Sequence, residues 1–250
     1  MSTGRSMVEL PFARIGGGPG TLVVLEGLTL ENKAPTGWAL RLLRWAHQRY
    51  TGDYTVYQVG RRPGLPAGYR TRDMAEDYAG WIAGRFGGPV DVVGFSSGGE
   101  VAQYLAADHG GLVGRLVLSD TGCRLGEEAR ALLAGARDLA AQGRAAQAQA
   151  ELANQMDFGR FGQGVVRVLG RWLLKEPDDA GDYLVTIEAD LAHDGAGALA
   201  RIAAPTLVIA GSRDFFYPEA IVRETAALIP RATLRLYAGV GHDCIPLAAG

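Results

Sequence analysis

Short apolar runs, many of them rich in β-branched residues, alternate along the chain with longer amphipathic stretches. Each run has the length and composition of a strand that is buried on both faces. At residues 71–86, apolar side chains recur every three or four positions, as on one face of a helix. This alternation predicts an α/β fold, with a mostly parallel central sheet flanked by helices. The predicted strands are residues 21–26, 54–59, 90–95, 115–119, 206–210 and 233–237.

One long region interrupts the alternation. Residues 122–199 contain no convincing strand, and residues 127–156 are rich in Ala, Leu, Arg and Gln, which favour helix. We predict a helical cap inserted at residues 122–199, over the carboxyl end of the sheet, where α/β folds bind their ligands. Residues 1–121 and 200–250 would form the core domain. The alternative is two ordinary crossover helices with long loops.

The composition excludes several classes of protein. Hydrophobic residues make up 48% of the 250 residues, so the chain can bury a full core, and 27 acidic against 25 basic residues leave a formal charge of -2. Such a balance creates no global field that attracts nucleic acid or an anionic membrane, and no stretch reaches the ~20 apolar residues of a membrane span. We expect a small-molecule substrate and neither nucleic acid nor membrane as a partner. A homodimer stays an open possibility.

The two cysteines bear on compartment and cofactor. Cys123 and Cys244 are too few for a disulfide scaffold and lack the paired spacing of a zinc site. Residues 1–11 lack the charged-then-apolar order of a secretory signal, so we expect a cytoplasmic protein. No metal is predicted, because residues 242–244 lack the spacing of metal ligands. No cofactor is predicted, because the glycines at residues 16–20 precede a predicted strand, whereas a phosphate-binding loop follows one.

The sharpest local signal is the pentapeptide Gly-Phe-Ser-Ser-Gly at residues 94–98. It joins the predicted strand at residues 90–95 to a segment of helical character, so Ser96 lies at a sharp turn. A serine there needs a strained backbone and glycines two residues to either side, because a Cβ would collide with the neighbouring strand or helix. Ser97 would need glycines at 95 and 99, and position 95 is Phe. The motif therefore selects Ser96 as the nucleophile.

The same turn predicts where a developing negative charge is stabilised. The helix that follows Ser96 directs its free N–H groups and the positive end of its dipole toward the reacting atoms. The Ser97 N–H is placed to donate to an oxyanion.

A serine hydroxyl becomes an effective nucleophile when a base takes its proton, and the pKa of histidine suits that task near neutrality. His47 and His109 lie in or beside predicted helices and have ordinary structural interpretations. His193 could reach the serine only from the cap. His242 follows the last predicted strand in a glycine-rich loop, at the sheet edge that holds Ser96. We predict His242 as the base.

The base needs a carboxylate that fixes its tautomer and stabilises its protonated form. Asp214 follows the strongly apolar strand at residues 206–210 and precedes the histidine-bearing segment, so we prefer it. Asp120, just after another predicted strand, and Asp194, near the cap boundary, remain alternatives. Asp243 is too close to His242 in sequence to orient it.

In chain order, Ser96, Asp214 and His242 resemble the triad of the α/β-hydrolase family, and residues 94–98 resemble its nucleophile elbow. The likeness covers nearly the whole chain and implies the α/β-hydrolase fold. By that resemblance, the Leu28 N–H is the second oxyanion donor. Further similar segments are residues 21–27, like the strand and turn before the oxyanion loop, 58–65, like the arginine-glycine turn, and 205–214, like the acid-bearing strand.

One residue departs from the family pattern. Many relatives carry His-Gly where this chain has Glu26 and Gly27. An ionised Glu26 beside the site would oppose an oxyanion, so we expect it to point away, to pair with an arginine, or to be held protonated by burial. The other interpretation is a purely structural loop residue, since a backbone donor does not depend on the side chain.

The predicted reaction is hydrolysis of an ester, thioester or lactone of a small, largely apolar substrate through an acyl-enzyme on Ser96. Met156, Phe158, Phe161 and Trp172 offer an apolar lining within the predicted cap, although the same side chains suit ordinary cap packing. Two other functions stay open. One is carbon–carbon bond hydrolysis, lyase or perhydrolase chemistry on the same triad, and the other is ligand binding with a vestigial triad.

Overall fold

The computed structural model describes residues 9–156 and 174–242. Within them, seven strands form one sheet in the order β1-β3-β2-β4-β5-β6-β7. Strand β1 runs antiparallel to β3, and the other neighbours are parallel. The predicted α/β class with a mostly parallel sheet is therefore confirmed. The strands are β1 (Phe12–Gly16), β2 (Gly20–Leu25), β3 (Tyr54–Val59), β4 (Val90–Phe95), β5 (Val113–Ser119), β6 (Thr206–Gly211) and β7 (Ala232–Tyr237).

Helices cover both faces of this sheet. Helix α2 carries the apolar pattern found in the sequence, and Met74, Tyr78 and Ile82 are buried on its inner face. Each large apolar side chain buried in this way contributes about 1.5–3 kcal/mol. No helix among the described residues combines the length and apolar character of a membrane span. The helices are α1 (Gly37–His47), α2 (Thr71–Arg85), α3 (Ser97–Asp108), α4 (Glu127–Ala141), α5 (Ala145–Ala153), α6 (Gly181–Leu191), α7 (Ala196–Leu199) and α8 (Glu219–Leu228), with a 3₁₀ turn at Gly110–Leu112.

Six strands lie where the sequence predicts them, and β1 was not predicted. Its five residues alternate between buried Ala13 and Ile15 and exposed Arg14 and Gly16. An edge strand has one neighbour and one buried face, so it lacks the continuous apolar run that marks the central strands.

Helices α4 to α7 lie between β5 and β6 in the chain, and no strand occurs there within residues 120–156 and 174–205. Their buried side chains, such as Leu133 and Tyr183, belong to the same hydrophobic cluster as Leu25 of the sheet. The division into a core, at residues 1–121 and 200–250, and a cap, at 122–199, stays a prediction.

The parallel strands determine where functional side chains meet. Strands β2, β4, β5, β6 and β7 all end at one edge of the sheet. The loops that follow β2, β4 and β6 carry Leu28, Ser96 and Asp214, and the loop after β7 carries His242. Residues far apart in sequence are thereby brought to one edge, as in other open α/β sheets.

Candidate active site

Ser96 lies at a sharp turn between β4 and α3, with φ 51° and ψ −125°. A non-glycine residue in such a conformation costs about 1–3 kcal/mol, which the surrounding structure must offset. A Cβ on Gly94 would lie 2.6 Å from the Cα of Gly99, and one on Gly98 would lie 2.4 Å from the carbonyl oxygen of Leu25. The two glycines thus let strand, turn and helix pack closely enough to present the serine.

The loop that carries His242 is held against the end of β6. The Arg213 N–H donates to the Val240 carbonyl at 2.8 Å, and the Ser212 N–H donates to the Tyr237 carbonyl at 3.0 Å. A Cβ on Gly211 would lie 2.2 Å from the Val240 oxygen, so the contact requires glycine. These contacts fix the direction from which the imidazole approaches the serine.

The structure brings the three predicted side chains into one hydrogen-bonded chain. His242 Nε2 lies 3.1 Å from Ser96 Oγ, and His242 Nδ1 lies 2.9 Å from Asp214 Oδ2. The carboxylate accepts a hydrogen bond from the Nδ1–H group, which leaves the unprotonated Nε2 to take the proton of the serine hydroxyl. Asp214 and His242 are almost fully buried. The geometry therefore suits proton transfer from Ser96.

Asp214 is itself held in place by the protein. Its Oδ1 accepts the backbone N–H groups of Phe216 and Tyr217 at 2.8 and 3.0 Å. With Oδ1 fixed in this way, Oδ2 faces His242. A carboxylate supported by two backbone donors can orient the imidazole without moving.

The structure places the alternative acids differently. Asp120 is buried at the end of β5 with φ 48°, and it accepts the Ser119 hydroxyl at 2.9 Å. It belongs to the same neighbourhood, since ligand atoms of Asp120, Asp214 and His242 lie within 4.8 Å of one another. Asp194 is exposed, and its Oδ1 accepts the Ala196 N–H at the start of α7.

The other histidines have partners of their own. His109 Nε2 lies 2.7 Å from Glu76 at the surface, and His47 Nε2 lies 3.1 Å from Gln58 Oε1. His193 packs with its Nδ1 3.2 Å from Thr71 Oγ1, and burial lowers its pKa to about 4.

Asp120, Asp214 and His242 are also the described residues that could together hold a metal ion. Both ring nitrogens of His242 are within hydrogen-bond distance of protein atoms, at 2.9 and 3.1 Å. An ion there would have to displace the Ser96–His242–Asp214 chain.

The two predicted oxyanion donors lie beside the serine. Ser97 is the first residue of α3, and Leu28 follows the end of β2. Both residues line the cavity in front of Ser96. Among the described residues, neither backbone N–H donates to another protein atom. Two unused N–H groups beside the serine, one of them at the first turn of a helix, suit an oxyanion.

Comparison with known proteins decides the family. Residues 18–249 match the sequence family described as "Alpha/beta hydrolase family". This chain belongs to that family. It is accordingly an enzyme of the α/β-hydrolase type, as predicted from the resemblance. A search of curated protein sequences gives no match.

Solved structures of the same fold resemble this α/β hydrolase over nearly its full length. The enol-lactonase from Burkholderia xenovorans LB400 has a TM-score of 0.77 and 21% identity, covering 96% of this chain and 92% of its own. A thermophilic esterase from Thermogutta terrifontis has a TM-score of 0.75 and 19% identity, covering 96% and 89%. E-2-(Acetamidomethylene)succinate hydrolase has a TM-score of 0.70 and 20% identity, covering 96% and 92%. At these identities the likeness establishes the fold.

A cavity of about 560 Å³ opens in front of Ser96 in this α/β hydrolase. Of the predicted pocket residues, Met156 lines it, and a short β-bridge joins Met156 to His242. Phe158, Phe161 and Trp172 lie outside the described residues. Sequence patterns did not single out the apolar side chains from α4, α5 and the β6–α8 loop that also line the cavity, among them Leu133, Leu152 and Phe216.

Glu26 lies in the cavity wall. Its carboxylate hydrogen-bonds with Gln58 and lies in the field of Arg61, and both lower its pKa, yet burial outweighs them and raises the pKa above its usual value. Glu26 thus combines features of two of the arrangements expected for it: an arginine lies nearby, and burial favours its protonated form. A neutral carboxyl here opposes an oxyanion far less than an ionised one would.

Proposed function

We propose that this α/β hydrolase cleaves an ester, thioester or lactone of a small, largely apolar molecule through an acyl-enzyme on Ser96. The observation that carries the proposal is the continuous hydrogen-bonded chain from Ser96 through His242 to Asp214. Such a chain lets a neutral hydroxyl act as a nucleophile at ordinary pH.

The reaction follows from the positions of these groups. Ser96 Oγ attacks the carbonyl carbon while its proton passes to His242 Nε2. The carbonyl oxygen becomes an oxyanion held by the Leu28 and Ser97 N–H groups, each worth ~3 kcal/mol in the transition state. His242 then protonates the departing alcohol, thiol or ring oxygen. Water, deprotonated by the same imidazole, releases the acid and restores the serine.

Asp214 stays ionised throughout and stabilises the imidazolium that forms in each half-reaction. Its burial makes this attraction stronger than it would be in water.

The substrate class rests on the cavity. About 560 Å³ suits a small molecule, and most of the wall is apolar. The names of two solved structures with this fold, an enol-lactonase and an esterase, point to the same bond types. We expect small-molecule substrates and no nucleic-acid partner, and we keep the cytoplasm as the proposed location.

The test is hydrolysis of p-nitrophenyl esters from acetate to decanoate by the purified protein. We expect burst release of p-nitrophenol equal to the enzyme concentration, and a mass increase that matches one acyl group. His242→Ala should abolish the burst. The matched control is His109→Ala, which removes a surface imidazole paired with Glu76 and should behave as wild type. An absence of ester hydrolysis and acyl adduct in the wild type would refute the proposal.

A further inference from the structure

A second buried polar chain lies on the other side of the Ser96 turn. Arg61 Nη2 donates to Ser97 Oγ at 2.6 Å, and the Ser97 hydroxyl donates to Asp190 Oδ1 at 2.7 Å. Glu100 lies beside Asp190, and Tyr217 donates its hydroxyl to Glu100 at 2.8 Å. All five side chains are buried. The proposed mechanism uses none of them.

Arg61 acts on the peptide group that contains one oxyanion donor. Its Nη1 donates to the Gly27 carbonyl at 2.8 Å. That carbonyl and the Leu28 N–H belong to one planar peptide, and no peptide bond in the described residues is cis. In a trans peptide the N–H points opposite to the C=O. Holding the Gly27 oxygen toward Arg61 therefore directs the Leu28 N–H away from Arg61, and Leu28 borders the cavity.

Ser97 supplies the other donor from its backbone, and its side chain joins the same guanidinium. A guanidinium is a rigid planar fork, so its two nitrogens fix the Gly27 oxygen and Ser97 Oγ relative to each other. One buried cation thereby links the loop after β2 to the start of α3. These are the two segments from which the oxyanion donors come.

Asp190 fixes the remaining proton of Ser97. Because Arg61 can only donate, Ser97 Oγ must accept from it, and the hydroxyl hydrogen then points to Asp190. Asp190 belongs to α6, which is also anchored at its first turn, where Asp182 accepts the Gly64 and Leu65 N–H groups. Helix α6 thus contacts the Arg61 loop at one end and the Ser96 turn at the other.

The charges are consistent with this arrangement. A buried arginine is costly without an anion, and Asp190 is the carboxylate that Ser97 bridges to Arg61. Burial raises the pKa of Glu100 well above its usual value, and the charge of Asp190 raises it further. The raised pKa favours the protonated, neutral form of Glu100. Arg61 and Asp190 thus form a buried pair of opposite charges that the Ser97 hydroxyl connects, and Glu100 lies beside the anion.

We propose that Asp190, through the Ser97 hydroxyl and Arg61, is a positioning residue that holds both backbone donors of the oxyanion hole in register with Ser96. The inference rests on the proposed function, since it concerns the oxyanion of that reaction. Misplaced donors weaken binding of the transition state more than binding of the ester itself. Misplacing the donors should therefore lower kcat and leave KM nearly unchanged.

The test measures kcat and KM for p-nitrophenyl butyrate in Asp190→Asn, Ser97→Ala and their double variant. Asp190→Asn keeps the shape of the side chain and removes its charge, and Ser97→Ala keeps the backbone donor. We expect each single change to lower kcat about 10- to 30-fold, less than complete loss of one oxyanion donor, with KM within about 2-fold. The double variant should lose no more than the worse single variant, because both changes break one link.

Glu188→Gln is the matched control, since Glu188 lies on the exposed side of α6. It should have the kcat and KM of the wild type. Combined with Ser97→Ala, it should leave the loss caused by Ser97→Ala unchanged. Arg61→Lys keeps the positive charge but loses the planar fork of the guanidinium. Its kcat should be lowered by about as much as that of Ser97→Ala. Thermal unfolding verifies that each variant folds; if Asp190→Asn does not, Ser97→Ala and Arg61→Lys decide the question.

Several results would overturn the inference. One is a wild-type kcat in both Ser97→Ala and Asp190→Asn, and others are losses confined to KM or losses that multiply in the double variant. In each of these cases the wild type still hydrolyses the ester, so the proposed function stands. A wild type without esterase activity would instead refute the proposed function, and the inference with it.

Discussion

Ser96 and Ser97 are neighbours at one turn, and each is hydrogen-bonded to a nitrogen base or cation and linked to a buried aspartate. Ser96 faces His242 and, beyond it, Asp214, whereas Ser97 faces Arg61 and Asp190. An imidazole can accept a proton near neutrality and a guanidinium cannot. The Ser96 hydroxyl is therefore suited to act as a nucleophile, whereas the Ser97 hydroxyl serves as a structural link.

The first prediction separates the two serines by activity. Ser96→Ala should lower kcat by about 10⁵-fold or more, because the Ser96 hydroxyl is the one that lies within hydrogen-bond distance of His242 among the described residues. Ser97→Ala should lower it only about 10- to 30-fold, because its backbone donor remains. Initial rates with p-nitrophenyl butyrate measure both. Equal losses would remove the distinction between the two hydroxyls.

The second prediction separates the aspartates. Asp214→Asn should reduce kcat by about 10⁴-fold, since an amide can stabilise the wrong imidazole tautomer and cannot stabilise an imidazolium. Asp120→Asn should cost much less, because His242 Nδ1 bonds to Asp214. Steady-state kinetics of both variants test this. If Asp120→Asn lost more kcat than Asp214→Asn, Asp120 and not Asp214 would be the acid of the triad.

The third prediction concerns the packing that creates the turn. Gly98→Ala places a methyl group 2.4 Å from the Leu25 and Glu26 carbonyl oxygens, so we expect a loss of about 1–3 kcal/mol in unfolding free energy. Gly135→Ala, in open space on α4, should instead stabilise by about 0.5–1 kcal/mol. Urea unfolding compares the two. Similar values for both would mean that the turn is not tightly packed.

The fourth and smallest prediction uses the pKa of Asp190, which burial raises to about 6 and the Arg61 charge lowers less. Its value in the unfolded chain is near 3.8, so the folded state holds the proton more tightly. The resulting stability is complete below about pH 4 and is lost as pH rises through 6. Between pH 5 and pH 7.5, the midpoint temperature of thermal unfolding should therefore fall by a few degrees more in the wild type than in Asp190→Asn.

Glu100 and Tyr183 also face Asp190, and they remain in the variant. Because the Asp190 charge raises the pKa of both neighbours, the comparison reports the titration of Asp190 together with its effect on them. An equal pH slope in the two proteins would show that Asp190 does not titrate in this range.

Sequence patterns predict the parallel strands because each leaves a local signature. The predicted strands at residues 54–59 and 90–95 coincide with β3 and β4, where buried apolar runs end at turn residues. The order of Ser96, Asp214 and His242 along these strand ends predicts that they meet at one edge. Periodicity and turn chemistry are sufficient for that part of the site.

The second chain could not be predicted in the same way. Glu188 and Asp190 are both acidic, two positions apart on α6, yet Glu188 is exposed and Asp190 is buried. Local sequence does not distinguish them, because the burial of Asp190 depends on packing against a turn some 90 residues earlier. The sequence indicates Arg61 only as part of the turn at residues 58–65, and its hydrogen bonds to Gly27 and Ser97 depend on tertiary contacts.

At this turn we expect His242 to activate the Ser96 hydroxyl and to leave that of Ser97 unreactive. The direct measurement is labelling with a fluorophosphonate, followed by fragmentation of the tryptic peptide at residues 86–115, which contains both serines. We predict a single adduct on Ser96 that is absent in His242→Ala and present in His109→Ala. An adduct on Ser97, or labelling that persists without His242, would contradict the account.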